Sequence, residues 1–262
     1  MATVLVERAA GIVTVTMNRP EKKNAANAAM WAELQDAFTD FAQCPDDRVM
    51  VLTGAGGAFC SGADLTALST GDGNGADTAA PAALMRQIGD LALTLHHLPK
   101  PTIAKVRGVA VGAGCNMALS CDLVVASEDA CFSEIFSRRG LSLDFGGSWL
   151  LPRLVGLHRA KELALLADMV PAEQAARMGL INRVVPPADL DSFVDGWASR
   201  LAAGPPIALA TTKSLLNQAS EVSLARALDD EGRGQVINFS TFDTAEALAA
   251  FVEKREPRFE GR

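Results

Sequence analysis

Two glycine-rich stretches, Gly57-Ala-Phe-Cys-Ser-Gly62-Ala63-Asp64-Leu65 and Gly108-Val-Ala-Val-Gly112-Ala113-Gly114-Cys115-Asn116, are suited to chemistry that uses the backbone rather than side chains. Each follows an apolar run that reads as a strand and leads into a segment that reads as a helix. The amides of Ala63 and Ala113 are therefore expected to be orphan donors near helix starts. Two such N–H groups aimed at one point form a positive pocket for an oxygen that gains negative charge, a donor of this kind in a dry site being worth a few kcal/mol. That is an oxyanion hole in outline. The plain alternative is that the glycines only permit tight turns and close helix packing. Two other readings fail on spacing: a dinucleotide fingerprint needs a third glycine where Met117 stands, and a phosphate loop needs a Gly-Lys-Ser/Thr triplet that is absent.

The elements that must position these amides are readable from periodicity. Val4 to Glu7 and Ile12 to Met17 flank Ala10-Gly11 and read as a hairpin. Met30, Leu34, Ala37, Phe38 and Phe41 recur at three and four residues, which predicts a helix over 27–43. A buried strand over 48–53 ends in the first glycine turn, and the stretch 69–81 reads as a surface loop. A helix over 82–97 closes with His96 and His97, expected to face solvent where a cation favours the helix macrodipole. A strand over 102–106, the second glycine turn, a helix over 111–121 and a strand over 123–126 repeat the pattern about 60 residues on, which implies stacked β-β-α units around one layered core. Beyond Pro186-Pro187 the pattern is helical over 189–203, 206–219, 223–237 and 244–254. Trp31, Trp197, Met30 and Met117 sit on helical patterns and read as packing residues.

Composition narrows the partners. The 262 residues carry a net charge of -7, which argues against broad electrostatic binding to nucleic acid or an anionic membrane, so a phosphate-bearing ligand would need a local basic spot. The 5 cysteines, Cys44, Cys60, Cys115, Cys121 and Cys131, form neither a CxxC pair nor a zinc-ligand pattern, so no metal site or disulfide frame is expected. No cationic segment precedes a long apolar run at the start, and a cytoplasmic protein is expected.

Asn18-Arg19-Pro20 with Asn24-Ala25, the run Gly54 to Leu65 with Ser61-Gly62-Ala63-Asp64, the run Gly108 to Asp122, Gly146-Gly147 and Phe251-Val-Glu-Lys-Arg255 together resemble the crotonase family, the enoyl-CoA hydratase/isomerase superfamily. The resemblance spans nearly the whole chain. It implies an α/β fold, a crotonase-like spiral of β-β-α units, over residues 1–200, and a C-terminal helical region over 201–262 that serves oligomerisation and covers the site. It also implies homotrimers or dimers of trimers. The substrate it implies is an acyl-CoA thioester whose carbonyl oxygen is held by the amides of Ala63 and Ala113, with coenzyme A entering as part of the substrate and no other cofactor. Lys22 or Lys23, and Lys254 from the same or a neighbouring subunit, are expected near the coenzyme A phosphates; their plain alternative is ordinary solvated lysines. Asp64, Leu65, Gly112 and Phe136 are expected to line the substrate site.

The sequence departs from the hydratase pattern where the resemblance places its two glutamates. The first position is Asn116 and the second is Phe136, neither of which exchanges a proton at neutral pH. An aspartate, Asp144, stands eight residues after Phe136, where an acidic residue shuttles a proton in members that resemble dienoyl-CoA isomerases and ring-opening isomerases. One carboxylate suffices for a double-bond shift, since it can remove a proton at one carbon and return it at another. The apolar neighbours Phe136, Leu143, Phe145 and Trp149 are expected to raise its pKa. The competing role for Asp144 is an N-cap on a helix starting within 145–148. Glu134 is a weaker candidate for a second acid-base group, its alternative being a surface residue paired with Arg138 or Arg139. Asn116 could orient a water or the substrate carbonyl. Isomerisation of an unsaturated acyl-CoA is the leading expectation, hydration the second, and a non-catalytic acyl-CoA binder the third.

Overall fold

The computed structural model describes residues 2–64 and 79–262. The hairpin forms as β1 (Val4–Ala9) and β2 (Ile12–Met17), antiparallel, with Val6 opposite Val15. β2 then pairs in parallel with β3 (Val49–Gly54), and the sheet continues through β4 (Thr102–Val106) and β6 (Leu123–Ser127) to β9 (Arg183–Val185), in the order β1-β2-β3-β4-β6-β9. Strands covered on both faces are apolar throughout rather than alternating, and β3, Val-Met-Val-Leu-Thr-Gly, shows how the two-residue period divides such a run. Met50 and Leu52 enter the larger core, while Val49 and Val51 face the other way with Ile103 and Val125 against Leu190, Val194 and Ala198 of α7 (Leu190–Ala202).

α1 (Ala28–Gln43) begins at Asn27, whose side chain accepts from the Met30 amide at 3.0 Å, and buries the predicted stripe from Met30 to Phe41. α2 (Ala79–His97) packs beside it through Ile88, Leu91 and Leu95. This helix starts at Ala79, so the tail of the predicted 69–81 loop is helical; positions 69–78 lie outside the described residues.

A second, three-stranded sheet carries the site: β5 (Val109–Val111), parallel to β7 (Cys131–Ser133), which is antiparallel to β8 (Val170–Pro171). The predicted helix over 111–121 is shorter at both ends, because Val111 is claimed by β5 and α3 spans Ala113–Leu119. Then follow α4 (Gly147–Val155), α5 (Leu157–Leu166) and α6 (Ala172–Arg177). Past α7 the chain is helical, in α8 (Pro206–Gln218), α9 (Leu224–Phe239) and α10 (Phe242–Glu253). Among the described residues no helix is long and apolar enough to cross a membrane.

Candidate active site

The two glycine stretches lie side by side. Phe59 and Cys60 both donate to the Val109 carbonyl, at 3.1 and 3.0 Å, and Val111 donates to the Cys60 carbonyl at 2.9 Å. On its other flank the first stretch is stitched to Ala26, which donates to the Gly62 carbonyl and accepts from the Asp64 amide. In such a parallel bridge the middle residue turns its own N–H to the opposite side. The Ala63 amide thus points away from Ala26 because of this pairing; the segment in which a helix start is expected lies outside the described residues. Ala113 does open α3, where its amide has no intrahelical acceptor.

Close backbone approach sets the spacing of the pair. Gly62 has φ +95°, and a Cβ there would lie 2.9 Å from the Val111 oxygen and 3.8 Å from the Ala113 nitrogen. A Cβ on Gly114 would lie 2.4 Å from the Cys60 oxygen. Larger residues at either position would force the two segments apart.

The surrounding side chains fall into two sets. Arg19 pairs with Asp64 at 2.9 Å, both largely buried, so Asp64 ties the Ala63 segment to the Arg19–Asn24 turn. Asn24, fully buried, accepts from the Arg19 amide and donates to the carbonyls of Ala55 and Ala58 at 2.9 and 2.8 Å. The exposed Lys22 and Lys23 sit on this turn, their carbonyls accepting from the Ser61 hydroxyl and amide, which ties their backbone to the first glycine stretch two residues before Ala63. Lys254, exposed, caps α10 in the left-handed conformation, and no contact among the described residues brings it to Lys22 or Lys23. Leu65 lies outside the described residues.

The second set is acidic and buried. Asn116 has no exposure; its Nδ2 donates to Glu134 Oε2 at 3.2 Å and to the Asp144 carbonyl at 3.0 Å. Gly147 lies against this amide, since a Cβ there would be 2.5 Å from Nδ2. Glu134 is 3% exposed, and Arg138 pairs instead with Asp168, so the expected surface ion pair with Arg138 does not form. Burial pushes the Glu134 carboxyl up to about 7; hydrogen bonding from Asn116 opposes this and the charge of Asp144 adds to it. Burial likewise pushes Asp144 up to about 6.

Asp144 is not a cap. α4 starts at Gly147 with Gly146 as its N-cap and no side-chain bond to the helix end; only the Asp144 carbonyl accepts from the Gly147 amide. Next to it Phe145, a bulky residue, is held at φ +48°, a conformation that costs about 1–3 kcal/mol and gathers at functional sites. Oδ1 of Asn116, Oε1 of Glu134 and Oδ1 of Asp144 are buried and have no hydrogen-bond partner among the described residues. Phe136, 5% exposed, sits in a 3-10 turn over Ile135–Arg139, its ring 3.6 Å from where a Gly112 Cβ would stand. The order Ala113, Asn116, Glu134, Phe136, Asp144 along the chain therefore becomes one cluster around the first turn of α3. His96 departs from expectation: it is half-buried, its ring edge-on to Trp149 at 5.1 Å. The signal for that contact, an aromatic 53 positions away on a different helix, has no local spacing to reveal it.

The sequence matches the family profile described as Enoyl-CoA hydratase/isomerase over residues 7–262. A Rhodobacter capsulatus protein named "Probable enoyl-CoA hydratase" is 40% identical over 260 residues, covering 99% of this chain and 98% of its own. The 1,2-epoxyphenylacetyl-CoA isomerase of Escherichia coli K12 is 38% identical over 252 residues, with 96% of both chains covered. The crystal structure of an enoyl-CoA hydratase from Mycobacterium smegmatis superposes with a TM-score of 0.92 at 35% identity, covering 99% of each chain. With these amides, this sheet pairing and these matches in hand, the chain belongs to the enoyl-CoA hydratase/isomerase family of the crotonase superfamily.

Proposed function

We propose that the protein is an acyl-CoA isomerase that shifts a carbon–carbon double bond through an enolate, with Asp144 as the proton carrier. The thioester carbonyl oxygen accepts from the amides of Ala63 and Ala113. Asp144 takes a proton from the α-carbon of a 3-enoyl thioester; the C–H electron pair forms the enolate, and its charge falls on the oxygen held by the two amides. The same carboxyl group returns the proton at the γ-carbon, so the double bond moves into conjugation and no atom is gained or lost. Lys22 and Lys23 hold the coenzyme A phosphates, and residues 201–262 serve as the oligomerisation and covering region of a trimer or a dimer of trimers.

The observation that carries this reading is Asp144 itself: a half-buried carboxyl group with one oxygen fully covered and a raised pKa, free of any capping role, next to Asn116, which with Phe136 holds the positions where glutamates would serve hydration. The test is isomerisation of 3-enoyl-CoA and α-proton exchange in deuterated water by wild type and Asp144→Asn. Loss of both in the variant by 10²–10⁴-fold is the expected result. Rapid water addition to a 2-enoyl-CoA that survives Asp144→Asn would overturn it.

Hydration is the second reading, and Glu134 favours it. Buried on Asn116 with a carboxyl pKa near 7, it supplies a second acid-base group, although it stands two residues before Phe136. Hydratase activity that requires both Glu134 and Asp144 would select this reading over the first.

A further inference from the structure

The loop that carries Asp144 is tied to the rest of the chain at one point. Among the described residues, the Asp144 carbonyl is the one polar group of the segment 142–145 with a hydrogen bond, accepting from the Gly147 amide and from Asn116 Nδ2, both at 3.0 Å. The first bond is local, whereas the second reaches 28 positions back to α3. That carbonyl belongs to the peptide plane whose tilt sets φ of Phe145, so the +48° conformation persists only while the plane is held. Release of the plane frees Phe145 to leave this conformation, and the adjoining Asp144 moves with it.

Asn116 is itself well fixed. It has no exposure, its amide donates to the Gly112 carbonyl at 3.0 Å, and its carbonyl accepts from the Ser120 amide and hydroxyl at 2.9 and 2.8 Å. A carboxamide has two N–H donors, and here both are used, one on the Asp144 carbonyl and one on Glu134 Oε2 at 3.2 Å. A carbonyl can only accept, so the nitrogen faces Asp144; the buried Glu134 carboxyl takes the second N–H and holds the carboxamide turned that way. Gly147 completes the arrangement, since a Cβ there would lie 2.5 Å from Nδ2 and 2.8 Å from Oδ1. Asn116 stands three residues after Ala113, within one turn of α3. One side chain therefore ties the Asp144 loop to the turn that presents the Ala113 amide.

We infer that Asn116 is a positioning residue, which holds the Asp144 carboxylate in register with the Ala113 amide, and that Glu134 acts through Asn116 as the acceptor that orients its carboxamide. Neither touches the substrate. The inference rests on the reading of Asp144 as the proton carrier given above. A reacting group misplaced by about 1 Å loses about 10²-fold in rate. The test compares four variants in isomerisation of 3-hexenoyl-CoA, with calorimetric binding of butanoyl-CoA and Tm measured alongside. Asn116→Leu keeps the shape and removes both donors, and Gly147→Ala drives a methyl into the carboxamide while removing no polar group. Both are expected to lower kcat about 10²-fold, with KM and the butanoyl-CoA Kd changed by less than about threefold. Glu134→Gln keeps an oxygen acceptor for Nδ2 and is expected to retain kcat within about threefold, whereas Glu134→Leu, which has none, loses as much as Asn116→Leu. Equal losses in Glu134→Gln and Glu134→Leu would mean that Glu134 exchanges protons, and would overturn the inference. So would an unchanged kcat in Asn116→Leu, or a Kd that rises in step with the fall in kcat, as a merely structural role produces. Should the Asn116 and Gly147 variants not fold, Glu134→Gln decides alone: retained kcat supports the inference and lost kcat overturns it. Activity that survives Asp144→Asn would overturn the proton-carrier reading and this inference together, whereas activity lost in Asp144→Asn and kept in Asn116→Leu removes the inference alone.

Discussion

Asp144 and Glu134 are held where a negative charge is poorly solvated, and pH is the variable that exposes this. For Asp144 acting as base, the ionised form is the active one, so kcat for isomerisation is expected to rise with pH through about 6 and then level, as a pH–rate profile would show. Stability runs in the opposite direction. A carboxyl group whose pKa is raised in the folded chain binds more protons there than when unfolded, so unfolding free energy falls as pH rises from about 4 to about 7. Glu134→Gln removes its share of this slope, and denaturant titrations at pH 5 and pH 8 are expected to show a variant stabilised relative to wild type only at the higher pH, by about 3 kcal/mol. An unchanged slope would mean that the group is charged at no cost. At this scale the sequence singled out Asp144 and the two alanines as candidates. It placed Glu134 in doubt, because a three-residue strand followed by a 3-10 turn has no periodicity that shows which side chain turns inward.

Elements earn their positions through a few buried ties, and Asn24 is the clearest. Its side chain satisfies the amide of Arg19 and the carbonyls of Ala55 and Ala58. Asn24→Ala would leave these three backbone groups without their partner; with about 1–3 kcal/mol for each buried group left unpaired, the variant is expected to lose at least 3 kcal/mol in a denaturant titration. The junction of α3 with the first glycine stretch is as demanding: Gly114→Ala drives a methyl into Cys60, and a loss of about 1–3 kcal/mol together with reduced α-proton exchange is expected, since Ala113 must shift with the helix. α1, β3 and β4 were legible because a 3.6-residue stripe and an apolar run are local properties. β5 was not, because three residues become a strand only where β7 and the Cys60 segment supply partners. The direction of the Ala63 amide depends on a bridge to Ala26, 37 positions earlier, which no local spacing reveals.

Over the whole molecule, large apolar side chains reach solvent on α5, α8, α9 and α10, most of all on the last two, where Phe239, Phe251 and Val252 are 73%, 83% and 78% exposed. So much apolar area marks an interface, and on the trimeric assembly proposed above Phe251→Glu combined with Val252→Glu is expected to shift sedimentation toward the monomer while a folded far-UV spectrum persists. The helical character of this region was plain in the sequence, but its unpartnered face was not, since periodicity shows that a stripe exists and not what covers it. One further property of the packing concerns sulfur. Cys60, Cys115 and Cys121 are buried, with thiols pushed well above the ordinary range, whereas Cys44 and Cys131 are only half-buried. Cys60 lies on the first glycine stretch, packed against Gly114 of α3, and Cys115 is the next residue of that helix. Their alkylation is closed to reagent unless that junction separates, so the labelling rate of these two sulfurs, followed by mass spectrometry, becomes a clock for how often the pair of alanine amides comes apart.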